Sequence, residues 1–254
     1  MKKYILIIAL TLAFFAGGNA FAATATVNLS TLISGADKVA AARVGNLNSL
    51  IVRVNATQKI TDAQKSSLVA AMQQEITAIN NLKIKIDADK DVASVQKDIK
   101  NLNGSSSYPL VVRKTFVIAS ADRALTVAGS MELVGAKLQE RISALPSGTD
   151  KTSLQKLYND FISLIRDAKT QANAAISQVS ALQADNGDTA KKQANTTALK
   201  AARDKVKLAV KDFVAARKTV ASIAKTIKTL APKAAGSTTT TTTKPATTTT
   251  QPAK

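Results

Sequence analysis

The sequence predicts an all-α fold, an elongated antiparallel helical bundle with a long, coiled-coil-like C-terminal hairpin and a disordered tail. Apolar residues return every three or four positions through most of residues 29–230, which is the period of one helix face. Pro109, Pro146 and Pro232 stand at the ends of these apolar runs, and no proline stands inside one. The chain contains no cysteine, so packing must stabilise the fold without disulfides.

Residues 1–22 have the pattern of a secretory signal peptide. Lys2 and Lys3 precede the apolar run Tyr4–Ala16, and Ala20-Phe21-Ala22 forms a small-x-small cleavage site. The apolar core is shorter than the roughly 20 residues that cross a bilayer, although an uncleaved anchor is the alternative. We therefore expect a secreted or cell-surface protein with no transmembrane span after signal cleavage.

Residues 23–148 predict an N-terminal helical bundle of four helices. The first covers Leu29–Val54 and carries Arg43 on its apolar seam, where we expect the stem to pack and the charged head to reach the edge. The second starts near Thr61, because Thr61-Asp62-Ala63-Gln64 matches a capping box. A short third helix follows at about residues 92–102.

The fourth helix, Leu110–Leu145, is the most apolar of the long runs outside the signal segment and forms the predicted centre of the bundle. Pro109 suits its first turn, and Pro146 ends it. The small residues on its seam let a second helix approach closely. The seam comprises Val117, Ala121, Ala124, Ala128, Met131, Gly135, Leu138, Ile142 and Leu145. A strand over Leu110–Ile118 is the alternative, because β-branched residues are frequent there.

Residues 149–232 predict a basic helical hairpin. Thr149 or Asp150 caps its first helix, and the turn Asp185-Asn186-Gly187-Asp188 leads into its second. Both helices keep strict three–four alternation over several heptads, which is typical of coiled coils. Residues 233–254 are mostly threonine with Lys, Pro and Ala, and predict a disordered tail, either a plain solvated one or a glycosylated or wall-spanning stalk.

The charge is strongly basic, with 35 Lys and Arg against 17 Asp and Glu and a net charge of +18. An exported chain of this charge attracts polyanions. The best candidate site is a set of lysines at the two outward heptad positions of the last helix, interrupted only by Asp204. These lysines are Lys200, Lys207, Lys211, Lys218, Lys225 and Lys228. The alternative is a soluble, self-repelling surface, since solvated faces normally mix both signs.

The residue types argue against catalysis and against sequence-specific nucleic-acid binding. With no His and no Cys, the commonest general base and the thiol nucleophile are both missing, and there is no Gly-rich phosphate loop. Every aromatic residue outside the signal segment except Tyr108 falls within an apolar helical pattern, which leaves no platform for base stacking. We expect a non-enzymatic protein without a cofactor.

Four aspartates form a weak calcium candidate and no other metal site is predicted. Asp87, Asp89 and Asp91 occupy positions one, three and five of an EF-hand-like loop, and Asp98 occupies position twelve. However, Val92 replaces the glycine of the sharp turn, and Asp98 is one carbon shorter than the bidentate glutamate. Capping of the third helix is the favoured interpretation of these residues.

Several short strings resemble an uncharacterised group of secreted helical proteins from ultra-small candidate-phylum bacteria. They are Leu32-Ile33-Ser34-Gly35-Ala36-Asp37, Gln64-Lys65-Ser66-Ser67-Leu68, Leu82-Lys83-Ile84-Lys85-Ile86-Asp87-Ala88-Asp89 and Ile118-Ala119-Ser120-Ala121-Asp122-Arg123. The resemblance covers about residues 29–145. It implies a helical fold and a secreted or surface location, and no activity. We interpret Asp122-Arg123 as part of an inter-helix ion pair.

Together these features predict a structural or adhesion-type protein of the cell envelope. Its basic helix would contact an anionic envelope polymer or a partner protein. A carrier of a lipid or small apolar ligand, held between bundle helices, is the alternative. The heptads also permit a homo-oligomer, in which the hairpin packs on another copy instead of its own bundle.

Overall fold

The computed structural model describes residues 28–104 and 107–230, and over these ranges the chain is all-α, as predicted. The helices in chain order are α1 (Leu29–Asn55), α2 (Asp62–Ala88), α3 (Val92–Gly104), α4 (Ser107–Ser143), α5 (Thr152–Ser180) and α6 (Thr189–Leu230). The strand alternative at residues 110–118 is wrong, since this segment is part of α4. The predicted signal peptide and tail lie outside the described residues. None of the described helices carries an apolar run long enough to cross a bilayer.

The helix ends follow local hydrogen bonds that the sequence signals. The capping box is confirmed, because the Thr61 hydroxyl accepts the Gln64 N–H at 3.2 Å and the Gln64 amide oxygen accepts the Thr61 N–H at 2.9 Å. At the start of α5 the Asp150 carboxylate accepts the Thr152 N–H at 2.9 Å. This hydrogen bond lowers the pKa of Asp150.

The turn between α5 and α6 needs two residues in the left-handed region. Asn186 has a φ of 50° and Gly187 a φ of 91°, and these two residue types adopt such angles at the lowest cost. The Asp188 carboxylate then accepts the Lys191 N–H at 3.0 Å at the start of α6. The turn thus reverses the chain and begins the last helix within a few residues.

α4 is the helix that contacts both α1 and α2 on the one hand and α5 and α6 on the other. All nine residues of its predicted seam are buried. Gly135 shows why small residues are needed there. A Cβ atom at this position would lie 3.1 Å from the Ile162 side chain and 3.2 Å from the Phe161 ring. The missing side chain therefore lets α5 approach α4 closely.

α5 and α6 make the most extensive helix pair of the described structure. Alanines with fully buried side chains form the centre of this seam, which brings the two backbones close together. They are Ala168, Ala172 and Ala175 of α5 and Ala202, Ala209 and Ala216 of α6. Both helices also pack on α4, so the hairpin lies on the bundle of its own chain and shares one hydrophobic core with it.

Asp122 of α4 holds the loop between α1 and α2. Its carboxylate accepts the backbone N–H groups of Gln58 at 3.1 Å, Lys59 at 2.6 Å and Ile60 at 3.1 Å, and the residue is only 5 % exposed. Arg123 is exposed. The Asp122 carboxylate therefore binds backbone N–H groups, and the ion pair expected for Asp122-Arg123 is not what holds it.

We predict that Asp122→Ala lowers the free energy of unfolding by about 2–4 kcal/mol, because it leaves three loop N–H groups without their acceptor. Asp122→Asn, which keeps one acceptor oxygen, should cost about half as much. Urea denaturation followed by circular dichroism measures both. Asp160→Ala, at an exposed position of α5, is the control and should change stability by less than about 0.5 kcal/mol. Equal losses at Asp122 and Asp160 would contradict this role.

The negative charge of Asp212 on α6 is destabilised in the folded state. Burial raises the pKa of its carboxyl above the ordinary value of 3.8, the negative charge of Asp167 raises it further, and Lys211 lowers it in part. The folded state therefore holds this proton more tightly than the unfolded chain does. Between the ordinary and the raised pKa, stability falls as the pH rises.

We predict that Asp212→Asn raises the melting temperature at pH 7 by about 1–2 °C, because it removes the desolvated charge. The gain should disappear near pH 3, where Asp212 is protonated in both states of the parent chain. Thermal melts at the two pH values test this. Asp204→Asn, which removes an exposed partner of Lys207, should give no rise at either pH. A gain that persists at pH 3 would refute the electrostatic cause.

Candidate functional site

The six candidate lysines, called the basic stripe below, all lie exposed on α6. They are Lys200, Lys207, Lys211, Lys218, Lys225 and Lys228. At about 1.5 Å of rise per residue, members seven positions apart are about 10 Å apart, and the stripe spans about 42 Å. α6 as a whole contains eleven Lys and Arg against two Asp. The structure thus presents one long face of like charge.

Few of these charges are neutralised within the fold. Lys207 pairs with Asp204 at 3.0 Å, and both side chains are largely exposed, so this pair contributes little to stability. Among the described residues, the other five lysines of the stripe form no ion pair. Their charges are therefore available to a negatively charged ligand.

Phe116 of α4 is the residue that the sequence analysis missed. It is 44 % exposed, although its helical pattern predicted that neighbouring helices would cover it. One groove of about 200 Å³ beside it is lined in part by Arg53 and Arg123. A second groove, of about 240 Å³, is lined in part by Arg203 and Lys207 of α6. The expectation that no such aromatic is accessible was wrong for Phe116.

Tyr108 and Arg43, which the sequence also singled out, have structural partners. The Arg43 guanidinium lies 4.7 Å from the centre of the Tyr108 ring, and it donates a hydrogen bond to the Leu102 carbonyl. Asn46 donates to the Tyr108 hydroxyl at 2.9 Å. Arg43 thereby joins α1 to the end of α3 and the start of α4, as a cation over an aromatic face.

The four calcium candidates, Asp87, Asp89, Asp91 and Asp98, do not form a cluster. Over the described ranges, no three acidic side chains are placed so that they could hold one metal ion. Asp87 pairs with Lys83 at 2.7 Å, and the buried Asp98 pairs with Lys85 at 3.1 Å. These two carboxylates therefore neutralise lysines of α2.

The remaining two aspartates lie at helix ends. Asp89 terminates α2. The Asp91 carboxylate accepts the backbone N–H of Ser94 at 2.9 Å and its hydroxyl at 2.8 Å. These hydrogen bonds lower the pKa of Asp91, the one from the Ser94 N–H most strongly. Asp91 thus caps the start of α3, the role favoured over calcium binding.

A cleft of about 460 Å³ lies between α2, α4 and the segment that follows α5. Its walls include Leu68, Ala71, Leu110, Val111 and Leu182, with Glu75, Ser107 and Lys114 as polar groups. The Lys114 ammonium donates to the carbonyl of Ser180, the last residue of α5, at 2.6 Å and to the carbonyl of Leu182, just beyond the helix, at 3.3 Å. Burial lowers the pKa of Lys114. The cleft is within the size range of small-molecule sites.

The chain thus offers two arrangements with chemical meaning, an exposed cationic helix face beside Phe116 and a mainly apolar cleft. The first can contact a polyanion along a length of about 42 Å, and the second can enclose a small apolar molecule. No family model, no curated protein and no solved structure matches this chain.

Proposed function

We propose that this chain is an exported, non-enzymatic, structural or adhesion-type protein of the cell envelope. In this proposal the basic stripe of α6 contacts an anionic envelope polymer or an acidic partner surface. The observation that supports it is the exposure of all six lysines, five of them without an ion-pair partner among the described residues. The signal-peptide pattern at residues 1–22 supports export.

The spacing of the stripe suits an extended ligand better than a compact one. Charges about 5–10 Å apart along a rigid helix can each meet a different phosphate or carboxylate of one flexible polymer. This spacing is also close to the Debye length at about 0.1 M salt. Binding should therefore be additive over the lysines, strongly dependent on salt and indifferent to sequence.

A carrier of a lipid or small apolar ligand is the second candidate. The cleft between α2, α4 and the segment that follows α5 favours it, because most of its wall is apolar and a few polar groups line it. Self-association through the heptads stays a prediction as well.

We predict that replacing Lys207, Lys211, Lys218 and Lys225 by Gln weakens binding to inorganic polyphosphate on the order of 10²–10³-fold at low salt. The slope of log K against log salt should become shallower by about one per lysine removed. Fluorescence anisotropy of labelled polyphosphate over a salt series measures both.

A matched variant distinguishes the effect of losing the stripe from the effect of losing net positive charge. This variant replaces four other exposed lysines by Gln, namely Lys38, Lys90, Lys97 and Lys100. It removes the same charge from α1, α3 and the segment between α2 and α3. It should keep most of the affinity. If both variants lose affinity equally, the stripe is not a site. Binding that persists in molar salt would contradict the electrostatic mechanism.

For the carrier, we predict that Ala71→Phe, which fills the cleft, abolishes the fluorescence enhancement of a small apolar dye. Ala42→Phe, at an exposed position of α1, adds the same group outside the cleft and should leave the enhancement unchanged. Dye titration of the parent and both variants tests this candidate independently of the lysines. Equal enhancement in all three proteins would exclude the cleft as the binding site.

A further inference from the structure

The face of α6 that carries the basic stripe also exposes large apolar side chains. Among the described residues of α6, Leu208 is 47 %, Val210 is 53 % and Val214 is 48 % exposed. At about 100° per residue, Lys207, Val210 and Val214 fall within a sector of roughly 60°. The two valines therefore lie beside the lysines on one side of the helix.

Phe116 of α4 extends this apolar surface across the groove between the two helices. Phe116, Val206 and Lys207 line the same groove, and Val210 is one turn further along α6 than Val206. We call Phe116, Val210 and Val214 the apolar ridge. Arg203 and Lys207 lie on the α6 side of Phe116. Half-exposed apolar side chains and cationic side chains thus lie next to one another on one face.

We propose that this face docks on a lipid bilayer that contains anionic lipids, with the apolar ridge entering the headgroup region. The inference rests on the proposed function, because the same lysines supply the attraction. A water-soluble polymer would need only the lysines, whereas a bilayer also gives the apolar ridge a role. The chemistry recognised is a plane of phosphate groups above an apolar layer.

The positive charge of the stripe, together with the exposed apolar ridge, favours an anionic bilayer over other occupants. The stripe lies along one side of α6 over a length of about 42 Å, so its lysines can approach one surface together. The ridge lies among them, and Phe and Val side chains that enter the boundary between headgroups and acyl chains leave water. A second copy of this chain would present the same positive face and be repelled.

A single tryptophan gives a direct test, because the chain contains none. In Phe116→Trp, emission should shift to shorter wavelength when vesicles with 30 mol % phosphatidylglycerol are added, and brominated lipids should quench it. Pure phosphatidylcholine vesicles should cause neither change. Ile84→Trp, at an exposed position of α2, is the matched control and should remain unshifted with both vesicle types.

Substitution of the ridge separates insertion from attraction. Replacing Phe116, Val210 and Val214 by Gln should lower the affinity for the anionic vesicles, measured by co-sedimentation, by about tenfold or more. Binding to polyphosphate should stay within twofold of the parent chain. The parent and the variant should give the same circular dichroism spectrum, since all three side chains are exposed. Vesicle binding that is equal in both proteins would overturn the role of the ridge.

The outcomes distinguish this inference from the proposed function. If the parent binds polyphosphate but Phe116→Trp shows no shift with anionic vesicles, only the bilayer inference fails. If polyphosphate is not bound either, the stripe itself is refuted. If light scattering shows a dimer that the ridge substitutions dissociate, the face is an interface between copies and the bilayer inference is wrong.

Discussion

The burial of α4 by two different helix pairs is the constraint on which the rest of the structure depends. A helix that is apolar on more than one side needs more than one neighbour, and α4 obtains them from α1–α2 and from α5–α6. The close approach at Gly135 and the carboxylate of Asp122 tie it to both groups. Because α4 joins the two pairs, the basic hairpin belongs to the same core as the N-terminal helices.

This arrangement leaves α6 with neighbours on part of its circumference only. α5 and α4 cover the side that carries the buried alanines, and the remaining side faces solvent with its lysines. Like charges three or four residues apart destabilise an isolated helix slightly. Here the alanine seam to α5 secures the helix, so its outer face is free to hold charge that local helix stability alone would disfavour. Packing on one side thus permits the cationic face on the other.

Helical periodicity predicted the six helices and the buried seam of α4, and a local motif predicted the capping box at Thr61, because these depend on residues close together in the chain. It could not predict the Asp122 contact, since the loop that Asp122 binds is more than sixty positions away in the chain. The exposure of Phe116 could not be predicted for a related reason. Its place one position before Val117 puts it beside the seam, and only the angle between α1, α4 and α6 decides whether a neighbour covers it. Exposure of the stripe was predictable, whereas its proximity to an aromatic was not.

The ridge residues are not explained by the needs of the fold. Valine is a weaker helix former than alanine, lysine or glutamate at an exposed position, because its branched side chain loses rotamer freedom against the preceding turn. Val210 and Val214 therefore cost helix stability and gain little burial within the chain. Alternating them with lysines would add nothing to the binding of a polymer that stays in water. The headgroup region of an anionic bilayer would remove the valine side chains from water and neutralise the lysine charges. It would therefore explain why valines and lysines occur together on this face.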